Sequence, residues 1–294
     1  MSVRERGLLG RGRRGTRLGV GESRAGMIAL GLAAWLIGML WIFPVAWTLL
    51  TSFKTEQDAS AQTLHGGLSF DRYSEVSHST EGVLSLATAF ANSAIVVLVS
   101  TTIVMLLALP AAYALAIHPV RKWRDVLFFF ISTKFLPIVA SIFPIYVYAQ
   151  KWNLIGTHTI LIILYIAINL PLAIWMIRSF FIEVPRELIE AAEIDGTTLI
   201  NQLRSVILPI AAPGIAATAL LCVIFAWNEY FYAIQLNFAG ASTMPQWVIG
   251  NVSTRGNFLA KLSAASMIAC LPVVLAGWAA QKRMIRGLSM GAIK

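Results

Sequence analysis

Glu190-Ala191-Ala192-Glu193-Ile194-Asp195-Gly196, with Pro209 thirteen residues further on, is a charged segment lying between long apolar runs. Pro185 suits a first helical position, Arg186 to Asp195 are good helix formers, and Gly196 supplies a natural C-terminal stop. A second short helix is expected from about Thr198 to Leu208. Pro209 disfavours helical geometry at Leu208, so a break is expected there before the next apolar run. The product is a helix-turn-helix elbow over residues 183–209. Leu188, Ala191, Ala192, Leu199 and Leu203 are expected to form one small apolar face, and Glu187, Glu190, Glu193 and Asp195 give the first helix an acidic remainder. A plain solvated loop would also be helical and charged. Two features set this one apart: the small pair Ala191-Ala192 permits close approach of another backbone, and Gly196 allows a sharp turn that a Cβ would resist.

What flanks the elbow places the chain in a bilayer. Of its 294 residues 57% are hydrophobic and only 13% charged, against about 25% charged in an ordinary soluble domain. A hydrocarbon core of roughly 30 Å needs about 20 apolar residues per helix. Six runs meet that requirement, near residues 27–50, 87–117, 126–149, 160–182, 209–236 and 262–281. The expected fold is an all-α membrane protein with six transmembrane helices. The second run is long enough to tilt or to begin outside the membrane. The basic loop 118–125 is short, so the second and third spans are expected to be antiparallel neighbours. The first run is too long for a signal-peptide core and is not followed by a small-residue cleavage site.

Sorting the lysines and arginines by loop fixes the expected orientation. With the N-terminus inside, Arg4, Arg6, Arg11, Arg13, Arg14, Arg17, Arg24, Arg121, Lys122, Arg124, Arg178, Arg186, Arg204, Lys282, Arg283, Arg286 and Lys294 fall on the cytosolic side. Lys54, Arg72, Lys151, Arg255 and Lys261 fall opposite, a bias of seventeen to five that makes both termini cytosolic. Residues 1–24 read as a disordered basic arm and residues 25–294 as the transmembrane domain. No base-stacking aromatics interleave the arm, so it serves orientation rather than nucleic-acid binding. Membrane lipid is the expected surrounding.

The elbow pattern resembles the coupling loop of ATP-binding-cassette importer permeases, and the resemblance extends over nearly the whole chain after residue 27. It is closest to carbohydrate permeases of the maltose-transporter type, on the side of the smaller permease subunit. Phe43-Pro44 with Leu50-Thr51-Ser52-Phe53-Lys54 closes the first span and Asn92-Ser93 opens the second, which ends in Pro110-Ala111-Ala112-Tyr113-Ala114. Ala226-Trp227-Asn228-Glu229 sits in the fifth span and Arg286 to Lys294 forms the tail.

The resemblance implies a type I importer permease fold in a bacterial cytoplasmic (inner) membrane. Two permease subunits would form the channel, two ATP-binding subunits beneath would hold ATP and Mg, and an extracytoplasmic solute-binding protein would deliver the cargo. Glu190, Ala191, Ala192, Asp195, Gly196, Leu208 and Pro209 would couple the chain to the ATPase. The loop 237–261 falls where related permeases meet the binding protein, and Gly240, Gly250 and Gly256 make mobility there plausible. A finer similarity to the sorbitol and mannitol branch is carried by Ser132-Thr133-Lys134, Pro144-Ile145-Tyr146, Asn169-Leu170-Pro171, Ala260 to Ser266, Gly277-Trp278 and Gln281-Lys282. Another mono- or oligosaccharide is the alternative cargo.

Ionisable residues inside the membrane are costly and therefore candidates for function. Lys134 lies about 12 Å from the inner end of its span and Glu229 about 10 Å from the outer end of its own, depths that argue against a direct pair. Lys134 can also snorkel inward along its own stem, and Glu229 can be satisfied by neighbouring helices. Trp227, Asn228 and Tyr230 beside Glu229 offer the flat surfaces and hydrogen-bonding groups that carbohydrate recognition uses. Tyr232 and Trp247 fit an interfacial aromatic belt equally well. Asn169 before Pro171 marks a possible helix break. These six residues, Lys134, Asn169, Trp227, Asn228, Glu229 and Tyr230, are the candidate solute path.

No catalytic set and no metal cluster is expected. His65, His78, His118 and His158 lie in or beside loops, and Cys222 and Cys270 are isolated in apolar runs. The chain has no Gly-x-x-x-x-Gly-Lys-Ser/Thr phosphate loop, so ATP hydrolysis belongs to a partner. An ion-coupled secondary transporter without ATPase is the alternative function, disfavoured by the elbow and by the absence of an evident internal repeat.

Overall fold

The computed structural model describes residues 24–63, 67–78, 85–237, 241–250 and 258–291, and within them every regular element is helical. The basic arm through Ser23, with the loop glycines Gly240 and Gly256 and the last three residues of the tail, lies outside the described residues. Two compact units divide at Trp47. The first consists of most of helix α1 (Arg24–Ser52), whose apolar side chains are exposed along its length, Trp35 at 71% and Trp41 at 76% among them. Such a surface suits lipid.

In the second unit the central pair is α4 (Leu86–Ala116) with α7 (His158–Ile182), the most extensive helix contact of the fold. Ser85 caps α4 by accepting the Thr88 N–H at 3.2 Å. Ala89, Val96, Val97, Val104, Ala108 and Ala112 recur three to four residues apart and are buried, as are Leu161, Tyr165, Ala173, Ile174, Ile177 and Phe181 on α7. The alanines let the backbones come close, the usual device for packing helices in lipid. The two helices run parallel, since hydrogen bonds pin like ends. His158 Nε2 meets Asn92 Oδ1 at 2.9 Å at one end, and Arg178 Nε donates to the Leu115 carbonyl at 3.1 Å at the other. Helix α10 (Leu208–Trp227) leans on both, and α13 (Leu259–Gly291) packs on α10.

Among the described residues five helices are long and apolar enough to cross a membrane, and a bent pair makes six where it counts as one broken span. The bend corrects the expected straight third span. Residues 126–149 are divided between α5 (Trp123–Ser132), a 3-10 turn (Thr133–Phe135) and α6 (Ile138–Lys151), with the two helices at 90°. Pro137 brings no N–H and holds Leu136 extended at ψ 126°. The hydroxyls of Ser132 and Thr133 fold back onto the Phe129 and Phe130 carbonyls at 2.8 and 2.7 Å, meeting acceptors near the interruption. Helix α4 takes α7 rather than α5 as its principal neighbour, which corrects the expectation that spans two and three are packed neighbours.

The fifth span also ends earlier than expected. Helix α10 stops at Trp227, residues 228–230 break it, and the chain resumes as α11 (Phe231–Leu236). At its other end the expected break before Pro209 is absent. Residues Leu199–Trp227 form one continuous 29-residue helix, with Leu208 itself helical at φ −60°, ψ −42°. A π turn over Leu203–Ile207 makes this possible. Its wider bonding accommodates a residue that lacks an N–H and whose ring would strike the carbonyl four residues back.

Short elements close the end of the bundle opposite the elbow: α2 (Glu56–Ser60), α3 (Asp71–His78) and α12 (Met244–Gly250). Glu56 reaches the start of α13, its two carboxylate oxygens accepting the Ala260 and Lys261 N–H groups at 3.0 and 2.8 Å. This is a charge-assisted cap supplied from two hundred residues away in sequence. Asn92 donates to the Ser242 carbonyl at 3.0 Å, and Ser93 accepts the Met244 N–H at 2.7 Å. Ala241, Ser242, Thr243, Met244 and Trp247 are buried, so the described part of the loop expected to be mobile is packed onto α4.

Candidate functional site

The elbow opens with α8 (Arg186–Ile194), capped by Pro185 one position earlier than a first-turn proline. It closes on Asp195 and then Gly196 at φ +68°. The Gly196 N–H donates to the Glu193 carbonyl at 3.0 Å and the Thr197 N–H to the Ala192 carbonyl at 3.1 Å, the paired bonds of a left-handed helix cap. The Thr197 hydroxyl adds a third bond to the Ala192 carbonyl at 2.7 Å. A Cβ built at Gly196 meets nothing within 4 Å, so the glycine is required by the backbone angle and not by crowding inside the chain.

The buried face of the elbow differs from the expected one. Ile189, Ala192, Gln202 and Ile207 are buried and Leu203 is half-buried, whereas Leu188, Ala191 and Leu199 are exposed. Inward-facing Ile189 and Ala192 pack toward the bundle. Glu190, Ala191, Glu193 and Asp195 are left on the outside with the Gly196 turn. Of the residues expected to couple, Ala192 thus supports the elbow from within, and Glu190, Ala191, Asp195 and Gly196 form its exposed surface. Leu208 is half-buried and Pro209 exposed at the entry to α10.

Gln202, which the sequence reading passed over, is the internal tie of the elbow. It is 1% exposed. Its Oε1 accepts the Tyr113 hydroxyl and stands 3.5 Å from His118 Nε2, and its Nε2 donates to the Ile189 carbonyl at 3.3 Å. His118 also lies 4.0 Å from the Glu193 carboxylate, with both side chains about half exposed. A mixed cleft of about 340 Å³ separates this end of α4 from α8, with His118, Arg186, Glu190 and Glu193 on its walls. Gln202 shares a helix face with Val206 and a polar side chain on that apolar stripe was the available signal. Nearby, the Arg178 guanidinium stacks over the Trp123 ring at 4.1 Å, fixing α7 to the start of α5.

The second group lies around the break after α10. Trp227, Asn228 and Tyr230 line a largely apolar cleft of about 290 Å³ together with Met244, Ser266 and Cys270. Trp227 is held in place by its Nε1–H, which donates to the Ala269 carbonyl at 3.0 Å, and by an edge contact with Phe90. Glu229 is not within a helix as expected but in the break itself. Its Oε1 accepts the Tyr232 N–H at 3.0 Å at the start of α11, and the Tyr165 hydroxyl donates to its backbone carbonyl at 3.2 Å. Its second carboxylate oxygen is buried without a hydrogen-bond partner.

Asn169 and Lys134 stand apart from that cleft. Asn169 is inside an unbroken α7, 2% exposed, with Oδ1 unpartnered, so Pro171 causes no break there. Lys134 is exposed on the 3-10 turn of the bent span. Tyr165, which bonds the Glu229 carbonyl, lies a helical turn from Asn169 along α7. Of the candidate path residues, the structure thus brings together Trp227, Asn228, Glu229 and Tyr230 and leaves Lys134 and Asn169 outside that cleft.

The family described as binding-protein-dependent transport system inner membrane component matches residues 106–281. A probable ABC transporter permease protein, y4oR of Sinorhizobium fredii, is 30% identical over 266 residues, covering 88% of this chain and 92% of its own. The sulfoquinovosyl glycerol transport system permease protein SmoH of Agrobacterium fabrum is 31% identical, with 86% and 89% covered. Among solved structures, a bacterial ABC transporter involved in the import of the acidic polysaccharide alginate superposes with a TM-score of 0.69 at 22% identity, covering 88% of this chain and 98% of that one. At that identity the likeness is one of fold.

Proposed function

The chain belongs to the family of binding-protein-dependent transport system inner membrane components, and from that membership we propose that it is a permease subunit of an ATP-driven carbohydrate importer. It forms half of the channel with a second permease, rests on two ATP-binding subunits that hold ATP and Mg, and receives its cargo from an extracytoplasmic binding protein. Both termini, the arm 1–24 included, lie on the cytosolic side. The observation that carries this reading is the elbow: a short helix whose acidic and small residues Glu190, Ala191, Glu193 and Asp195 face outward, ended by a left-handed Gly196 turn with open space in front of it. Nucleotide-driven closure of the ATPase pair beneath would move this knob as a rigid body and switch the channel between two states.

Carbohydrate as the cargo class is supported by the description of the related permease SmoH, a component of a sulfoquinovosyl glycerol transport system. The narrower choice of a polyol rests on the sequence motifs around Lys134, Asn169 and Ala260 to Ser266. A cleft joining the Trp227 face to the polar groups of Asn228, Tyr230 and Ser266 suits a hydroxyl-rich solute.

The test is reconstitution in vesicles with the second permease, the ATPase subunits and the binding protein, offering labelled sorbitol, mannitol and maltose. ATP-dependent uptake of at least one is expected; accumulation without nucleotide or without the ATPase rules the importer out. Glu229→Gln keeps the Oε1 acceptor for Tyr232, removes the charge and puts an amide NH2 in place of the unpartnered second oxygen. It is expected to change the solute KM by roughly three- to tenfold, the effect of about 1 kcal/mol at a partly buried group, with ATPase association intact. Unaltered uptake kinetics would remove Glu229 from the path.

A further inference from the structure

We propose that Gln202 is the latch that joins the elbow to the end of α4, so that a displacement of α8 reaches α4 directly as well as reaching α7 and α10 through the chain. The inference rests on the elbow being the coupling element. The elbow is covalently continuous only with α7, through residues 183–185, and with α10, through the π turn. Nothing in the chain connectivity drives α4. Gln202 supplies that connection: its acceptor takes the Tyr113 hydroxyl of α4 while its donor holds the Ile189 carbonyl of α8. Both of its polar atoms are used and the side chain is sealed from solvent.

An amide is the one side chain of this length that both donates and accepts in a fixed plane. A carboxylate would lose the bond to Ile189 and a leucine would lose both. The His118–Glu193 approach at 4.0 Å is a second, exposed link between the same two segments, and it is weak by comparison. Since α4 and α7 are parallel and tied at both ends, a push received at Tyr113 adds on α4 to the one that α7 receives through residues 183–185. Gln202 is accordingly a positioning residue. It need touch neither the ATPase nor the solute.

The test uses the whole transporter in vesicles and compares wild type, Gln202→Leu, Tyr113→Phe and the double variant. The quantity read is solute imported per ATP hydrolysed, normalised to assembled ATPase. The latch requires about a tenfold fall for Gln202→Leu, a similar fall for Tyr113→Phe, and no additional fall in the double variant, because both changes remove the same bond. A wild-type ratio in assembled Gln202→Leu overturns the proposal. Where Gln202→Leu does not assemble, a wild-type ratio in Tyr113→Phe overturns it. Loss of assembly in both single variants overturns it too, by reducing the bond to a folding brace. A wild-type complex that imports solute without its ATPase would instead sink the coupling reading beneath it, a separate result in the same experiment.

Discussion

Gly196→Val is expected to insert normally into the membrane yet fail to retain the ATPase subunits and to lose ATP-driven uptake by tenfold or more. Insertion is set by the apolar runs, which the substitution leaves alone. The turn is different. At φ +68° a residue with a Cβ stands in the left-handed region, at a cost of roughly 1 to 2 kcal/mol, and β-branching makes the region less accessible still. Relaxing the angle breaks the Gly196–Glu193 and Thr197–Ala192 bonds, so the last turn of α8 unwinds and Asp195 leaves its place. Gly196→Asn separates two causes, because asparagine tolerates that backbone region. If Asn restores association, the backbone angle is what the elbow needs; if Asn also abolishes it, the open space in front of the turn must be filled by a partner. Co-purification of the ATPase and uptake in vesicles read both. Full activity of Gly196→Val would end the case for this elbow as the docking element.

Gly214→Val is expected to lower the stability of the bundle itself. A Cβ at position 214 on α10 would lie 2.2 Å from Phe180 Cγ and 2.4 and 2.5 Å from the two Cδ atoms. These atoms are at the root of the ring, so Phe180 must change its χ1 or the helices α7 and α10 must part. Overpacking of this kind costs about 1 to 3 kcal/mol, occasionally more. For alanine, the gain in helix propensity over glycine, about 1 kcal/mol, offsets part of that. Valine adds two further carbons and forfeits the offset. The expected result is a fall of several degrees in melting temperature in detergent, at roughly 2 to 4 °C per kcal/mol for chains of 150–250 residues. Phe180→Ala in the same chain should restore much of it. An unchanged melting temperature for Gly214→Val would mean that α7 and α10 do not approach each other as closely as described.

Hydropathy alone located α4 and α7 to within about two residues, because each is an uninterrupted apolar run ending in a polar stretch. The proline readings went wrong in both directions. Pro209 was expected to interrupt the chain and does not; Pro137, within an apolar run read as one straight span, turns it by 90°. Pro44, Pro110, Pro144, Pro171, Pro213 and Pro272 all sit inside helices. A proline removes the same donor wherever it stands. Whether the helix survives depends on what satisfies or relieves the carbonyl behind it, and that is decided by neighbours distant in sequence. The elbow was legible as an object, since Gly196 and the charges have local causes. Its inward face was not, since burial of Ile189 and Gln202 depends on where α4 ends. The cap from Glu56 to α13 had no local signal at all.

The wide turn at Leu203–Ile207 also sets an azimuth. Compared with an ordinary helix it holds one more residue in the winding, and each residue advances the direction of a side chain by about 100°. Rewinding that turn as an ordinary α-helix with every residue kept would change the reach of the rod by only a little while swinging everything before it, Glu190 and Gly196 included, about a quarter turn around the rod's axis. On the proposed reading, a motor meeting the protein from below would then find the knob pointing sideways, and the wide turn would be the alignment key between that engine and its shaft.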